Sequence, residues 1–162
     1  MSVKATGDLR KDFDKKNILS FAQDTSTKIN ASIAYDDENL YLGYSVNDIT
    51  PWVNGASDPV QMYAMGDTVD FQIGTRPEAN EKRSEATIGD LRLSVGPCQG
   101  KNVAVLYQAK VAKGTEKAPR TFFSGVIREG YEMESVTILK SARIDVFIDK
   151  KKQKYTVEIA VP

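Results

Sequence analysis

The sequence predicts an all-β fold, a two-sheet antiparallel β-sandwich of jelly-roll-like type. Apolar residues recur with a period of two in segment after segment, clusters of Asp, Asn, Gly, Pro or Lys separate those segments, and helical signal is poor throughout. Strands that are apolar on one side and joined by tight turns pair with one another, and then bury that side against a second sheet.

Residues 1–21 are charged and weakly periodic, with Gly7-Asp8-Leu9 reading as a turn and Asn17 to Phe21 as a short strand or a single helical turn, so this segment is expected to wrap a domain edge. The first clear hairpin joins Asn30–Tyr35 to Leu40–Asn47 through Asp36-Asp37-Glu38-Asn39, whose short polar side chains bond to their own backbone and favour reversal. Leu40, Leu42, Tyr44 and Val46 share one side of the second strand, which predicts one packed face and one polar face. Gly66-Asp67 opens a strand in which Val69, Phe71 and Ile73 alternate with polar residues. Between these strands, Ile49 to Gly66 is an irregular loop carrying the only tryptophan, Trp52, and a loop of that length inside a compact domain usually has a task. Leu91, Leu93 and Val95 alternate before Gly96-Pro97, and Val103, Val105 and Tyr107 alternate after Gly100. Thr121 to Ile127 reads as extended, and Glu78 to Glu85 is the one polar stretch that could coil, without an apolar stripe to dock. Ile144, Val146 and Ile148, a lysine turn, and Tyr155, Val157, Ile159 and Val161 close the chain as a second hairpin.

At 162 residues the chain is expected to form a single domain, large enough to bury a core without a metal or a disulfide. Lys+Arg and Asp+Glu balance at 22 each, so no global field draws nucleic acid or anionic lipid. Lys150-Lys151-Lys152 with Lys154 is the one basic run, and a hairpin turn or guarded sheet edge explains it better than a phosphate site. No apolar run is long enough to span a bilayer as a helix, and the first residues lack the apolar segment of a signal peptide. Cys98 is the sole cysteine, which excludes an intramolecular disulfide and a multi-cysteine metal centre. Histidine is absent, which removes the usual general base, zinc ligand and proximal haem ligand.

Five segments in order carry a family resemblance: Gly7-Asp8-Leu9; Ala31 to Glu38; Leu40-Tyr41 opening a strand that ends Val46-Asn47-Asp48; Gly66-Asp67 leading Thr68 to Ile73; and Tyr155 to Pro162, ending in glutamate, small or apolar residues and proline. Together they resemble the family-nine carbohydrate-binding modules and the broader DOMON-like group of sensory, haem-binding and sugar-binding sandwiches. The resemblance implies a non-catalytic carbohydrate-binding module, with an oligo- or polysaccharide as partner and no role for nucleic acid or membrane insertion. It also implies an exported setting (extracellular, periplasmic or cell surface) and covalent linkage to other domains of a larger protein. The alternative is a structural or protein-interaction sandwich that serves as a spacer.

Trp52 is the expected sugar platform, because axial C–H groups of a sugar ring pack on an aromatic face while Asn54, Asp58, Gln61 and Tyr63 offer polar partners nearby. Tyr107 and Phe122 are reserve aromatics; Trp52 plugging one end of the sandwich is the competing reading. Asp48 and Asp67 flank the loop, and with Asp70 they form an oxygen-rich set suited to structural calcium, which some relatives of the resembled family carry; the competing reading is turn caps and a solvent-facing strand residue. Haem is a remote third reading and would need Met62 or Met65 with a lysine. An enzyme is not expected. Glycosidases need two carboxylates about 5 to 10 Å apart across a cleft, and of Glu132, Glu134, Asp145, Asp149 and Glu158 no pair is tied to one; Glu158 is expected to face solvent. Ser45, Ser94 and Cys98 have no histidine to activate them.

Overall fold

The computed structural model describes residues 3–22, 27–80, 82–123 and 130–162. Strands β1 (Ile18–Ala22), β2 (Lys28–Tyr35) and β3 (Leu40–Asn47) run as consecutive hairpins. The chain then crosses to β4 (Val69–Gly74), β5 (Asp90–Cys98) and β6 (Lys101–Gln108). After β7 (Arg120–Phe122), β8 (Tyr131–Met133) and β9 (Ser135–Ile138), it returns as β10 (Arg143–Asp149) and β11 (Lys154–Val161). The described strands form a five-stranded sheet in the order β1-β2-β3-β11-β10, a four-stranded sheet in the order β4-β5-β6-β9 and a small β7-β8 ribbon, all paired antiparallel.

The two larger sheets stack through one core. Leu42, Val46, Tyr155, Val157 and Ile159 from the five-stranded sheet meet Val69, Leu93, Val95 and Ala104 from the four-stranded one. Except for Ala104, these are the alternating residues of the sequence pattern, so hydrophobic burial fixes both the register and the sandwich; in β6 the alternating set Val103, Val105 and Tyr107 faces the other way. The first turn forms as expected: the Asp36 carboxylate accepts from the Glu38 and Asn39 N–H groups, at 3.0 and 2.9 Å.

Four expectations are corrected. The outer faces of both sheets are also partly covered, so on its second side β3 is buried at Tyr41 and Gly43 and polar only towards Ser45. The N-terminal segment, with the one-turn helix α1 (Leu9–Asp12), lies over the five-stranded sheet, where Val3, Leu9 and Phe13 pack with Tyr41 and Ala160. Gly43 makes this approach feasible, since a Cβ there would stand 2.6 Å from both Leu9 and Phe13. On the other sheet, the loop 49–66 folds a 3-10 turn, Pro59–Ala64, over the outer side of β6, so Val105 and Tyr107 are buried with Val60 and Met62 rather than in the central core. β5 runs through Gly96-Pro97, and Pro97 stays in register opposite Asn102. Glu78 to Glu85 contains no helix among its described residues; with no apolar side to dock, it stays in turns closed by Arg83 on Asp90. The extended reading of Thr121 to Ile127 holds for β7, and residues 124–129 lie outside the described set.

Candidate functional site

The N-terminal segment covers only part of the outer face of the five-stranded sheet. The rest is the floor of a groove of about 860 Å³. Strand register builds that floor. Ser20 stands opposite Asn30, Asn30 opposite Ser45, Ser45 opposite Thr156, and Thr156 opposite Phe147, which makes one row across all five strands. All five residues line the groove. With neighbouring strands about 4.8 Å apart, the row is about 19 Å long.

Ser20 Oγ donates to Asn30 Oδ1 at 2.7 Å, which orients the amide. Ser45 lies at the bottom of the groove, 4 % exposed, and its hydroxyl has no hydrogen-bond partner among the described residues. A buried hydroxyl without a partner is uncommon, and at the base of a groove it marks a place for a ligand or water. Phe147, 38 % exposed, ends the row. Gly7, at φ +80°, passes so close to this ring that a Cβ would come within 2.7 Å of it. Asp8 caps α1 by accepting from the Arg10 N–H at 3.2 Å, and Asp149 accepts from the Lys152 N–H at 3.1 Å; these bonds hold both carboxyls below their usual range.

The expected tryptophan platform is not offered to solvent. Trp52 is 8 % exposed, its ring packs 5.1 Å from that of Tyr155, and its Nε1–H donates to Asn102 Oδ1 at 2.8 Å. It plugs the core, the competing reading given above. Asn54 is tied into the loop, donating to the Met62 and Asp67 carbonyls and accepting from the Ala56 N–H. Asp58 caps the 3-10 turn through the Val60 N–H, and Gln61 is exposed beside it. Tyr63, Tyr107 and Phe122 come together with ring centroids 6.0 to 6.1 Å apart, but on the outside of the four-stranded sheet, whereas Trp52 belongs to the central core. Arg92 lies over Tyr63 and Tyr107, 5.1 and 5.6 Å from their centroids. Burial pushes the Tyr107 hydroxyl up to about 12, and it donates to the Val60 carbonyl. Met62 is fully buried in the same cluster and Met65 is 53 % exposed. A second concavity of about 520 Å³ opens beside these rings, but its two guanidinium groups, Arg83 and Arg92, are already paired with Asp90 and Asp70.

Asp48 and Asp67 do meet across the ends of the loop. Burial raises the Asp67 carboxyl above its usual value and the neighbouring Asp48 carboxylate adds to the shift, while the Val53 N–H, 2.7 Å from Oδ2, pulls it down. Asp48 accepts from the Thr50 N–H at 2.7 Å. Asp70 is not part of this pair; both its oxygens accept from Arg92 at 3.1 Å. Among the described residues no group of three Asp, Glu, Cys or His side chains is arranged to hold a metal ion, so calcium at Asp48 and Asp67 would draw its remaining oxygens from backbone and water.

Glu158, expected to face solvent, is 3 % exposed beneath the N-terminal segment. Gly7 N–H donates to its Oε1 at 2.8 Å, and Oε2 has no hydrogen-bond partner among the described residues. Burial raises this carboxyl to about 7, with Asp12 and Asp145 adding to the shift. A raised glutamate beside two aspartates resembles a general acid, yet the cavity there measures about 10 Å³, room for one water and not for a sugar.

The sequence reading missed the groove because its residues are small and scattered. Two of its contacts were legible: the Asp36–Asn39 turn sets Asn30 opposite Ser45, and the lysine turn sets Phe147 opposite Thr156. The pairing of β3 with β11, which joins them, is long-range and left no local signal. No protein-family model matches the chain, and neither does any curated protein or solved structure.

Proposed function

We propose that this all-β domain is a non-catalytic carbohydrate-binding module that lays an extended oligosaccharide across the outer face of its five-stranded sheet. The observation that carries this reading is the row Ser20, Asn30, Ser45, Thr156 and Phe147 on the groove floor. Hydroxyl and amide groups match sugar hydroxyls, and one half-exposed ring matches sugar C–H faces. The resemblance to family-nine modules and their jelly-roll-like relatives supports the same class and an exported, multidomain setting. A structural calcium held by Asp48 and Asp67 belongs to the proposal, stiffening the loop ends rather than touching the sugar.

The test is calorimetric titration of a panel of plant, algal and bacterial oligosaccharides into wild type and Ser45→Ala. Removing an unpartnered buried hydroxyl should leave the fold as stable or slightly more so, while weakening saccharide binding. No heat from any member of the panel sinks the reading.

One observation favours the spacer or protein-interaction alternative. Leu19 and Phe21 on β1 and Tyr35 on β2 are 61 %, 56 % and 79 % exposed, and β1 is an edge strand without Lys, Glu or Pro to guard it. A partner adding a strand at β1 would cover them. Phe21→Lys should then abolish association with that partner and leave saccharide binding unchanged.

A further inference from the structure

The charges around the groove are unequal, and the carboxylates among them are already engaged. Arg10, Lys15, Lys152 and Lys154 line it, against Asp8 and Asp149. Asp8 is taken up by the Arg10 N–H and by Lys11 Nζ at 3.4 Å. Asp149 is taken up by the Lys152 N–H and by Lys152 Nζ, also at 3.4 Å. Arg10, Lys15 and Lys154 make no salt bridge among the described residues. They come from separate elements: α1, the turn that follows it, and β11. The chain as a whole is neutral, so this excess is local to the groove rather than a general basic surface.

We propose that the groove selects saccharides that carry negative charge, uronates or sulfate esters, with Arg10, Lys15 and Lys154 pairing to the anionic groups while Ser45 and its row hold the ring hydroxyls. This rests on the saccharide-binding reading above and narrows it to a ligand class. Guanidinium donates two parallel N–H bonds to a carboxylate or sulfate, and lysine meets it as a point charge on a flexible stem. Hydroxyls at the floor and cations around it together fit an acidic sugar better than a neutral one, which would leave Arg10 and Lys15 unanswered and Lys154 with only the through-space attraction of Asp8.

The experiment is titration calorimetry with hexagalacturonate, the same hexamer fully methyl-esterified, a sulfated neutral hexasaccharide and a single-stranded oligonucleotide of equal charge. The proteins are wild type, Arg10→Gln/Lys154→Gln and, as an off-site control, Lys110→Gln, which pairs with Glu134 elsewhere. We expect the free acid to bind about tenfold more tightly than its ester, an advantage of the size three exposed ion pairs give together. That advantage should shrink at high salt and in the double variant, and be retained in Lys110→Gln. The sulfated arm tells whether sulfate serves as well as carboxylate. Equal binding of acid and ester overturns the charge selectivity and leaves the groove as a neutral-sugar site. Binding of no saccharide overturns the underlying reading as well. Equal binding of the oligonucleotide, or equal loss in Lys110→Gln, shows general ion exchange and overturns the proposal.

Discussion

Glu158→Gln should make the protein more stable at pH 8 and leave it nearly unchanged at pH 4.5. The carboxyl rises from 4.5 to about 7 in the folded chain, so the native state holds this proton more tightly than the unfolded state does. A group raised in this way contributes its full stability below the unfolded value and loses it as pH climbs through the folded value. A displacement of that size is worth about 3 kcal/mol at most. Asp12 and Asp145, which face Glu158 from α1 and β10, are only half-buried, and water screens their part, so about 2 kcal/mol is the working figure. Glutamine keeps the acceptor for the Gly7 N–H and never ionises. Calorimetric melting of both proteins at pH 4.5, 6, 7 and 8 should give curves that separate with pH. The variant should end about 4 to 8 °C higher at pH 8 for a domain of this length. A separation independent of pH, or a wild type that melts higher at pH 8, refutes the buried, unpartnered Oε2 on which the reasoning rests.

Trp52 emission should be blue-shifted, poorly quenched by iodide and unaltered by saccharide; Trp52→Ala should destabilise by about 3 to 5 kcal/mol in urea titration, since it empties core volume and strands Asn102. Calcium should raise the melting temperature over chelator at equal ionic strength, and Asp48→Asn or Asp67→Asn should remove that increment; a zero shift in wild type leaves the two aspartates as turn residues. Gly43→Val should lift the N-terminal segment off β3, with a loss of about 1 to 3 kcal/mol and earlier proteolysis within residues 3–16, because its side chain would occupy the space of Leu9 and Phe13.

The alternation of Leu40, Leu42, Tyr44 and Val46 and of Tyr155, Val157 and Ile159 was enough to read both hairpins and the inner core, because burial on one face writes a period of two into a strand. The outer layers were not legible in the same way. Tyr41 and Tyr107 lie on faces that the pattern marks as solvent or as core, and only the long-range folding of residues 3–13 and 49–66 over the sheets decides otherwise. The same layers explain why the candidate site moved. Trp52 looked like a platform because a lone tryptophan in a polar loop has no partner in sequence, whereas Asn102, which takes its N–H, is 50 residues away. The pairing of Asp48 with Asp67 was readable, since both flank one loop; Asp70, the second residue of β4, points to Arg92 on the neighbouring strand instead.

The most direct test of the account is amide chemical-shift mapping on ¹⁵N-labelled protein titrated with hexagalacturonate. The account predicts that the largest shifts fall on Ser20, Asn30, Ser45, Thr156 and Phe147 and on their neighbours in β1, β2, β3, β11 and β10, with 49–66 unmoved. Shifts centred on Trp52 to Tyr63, or on no contiguous set of residues, would contradict it.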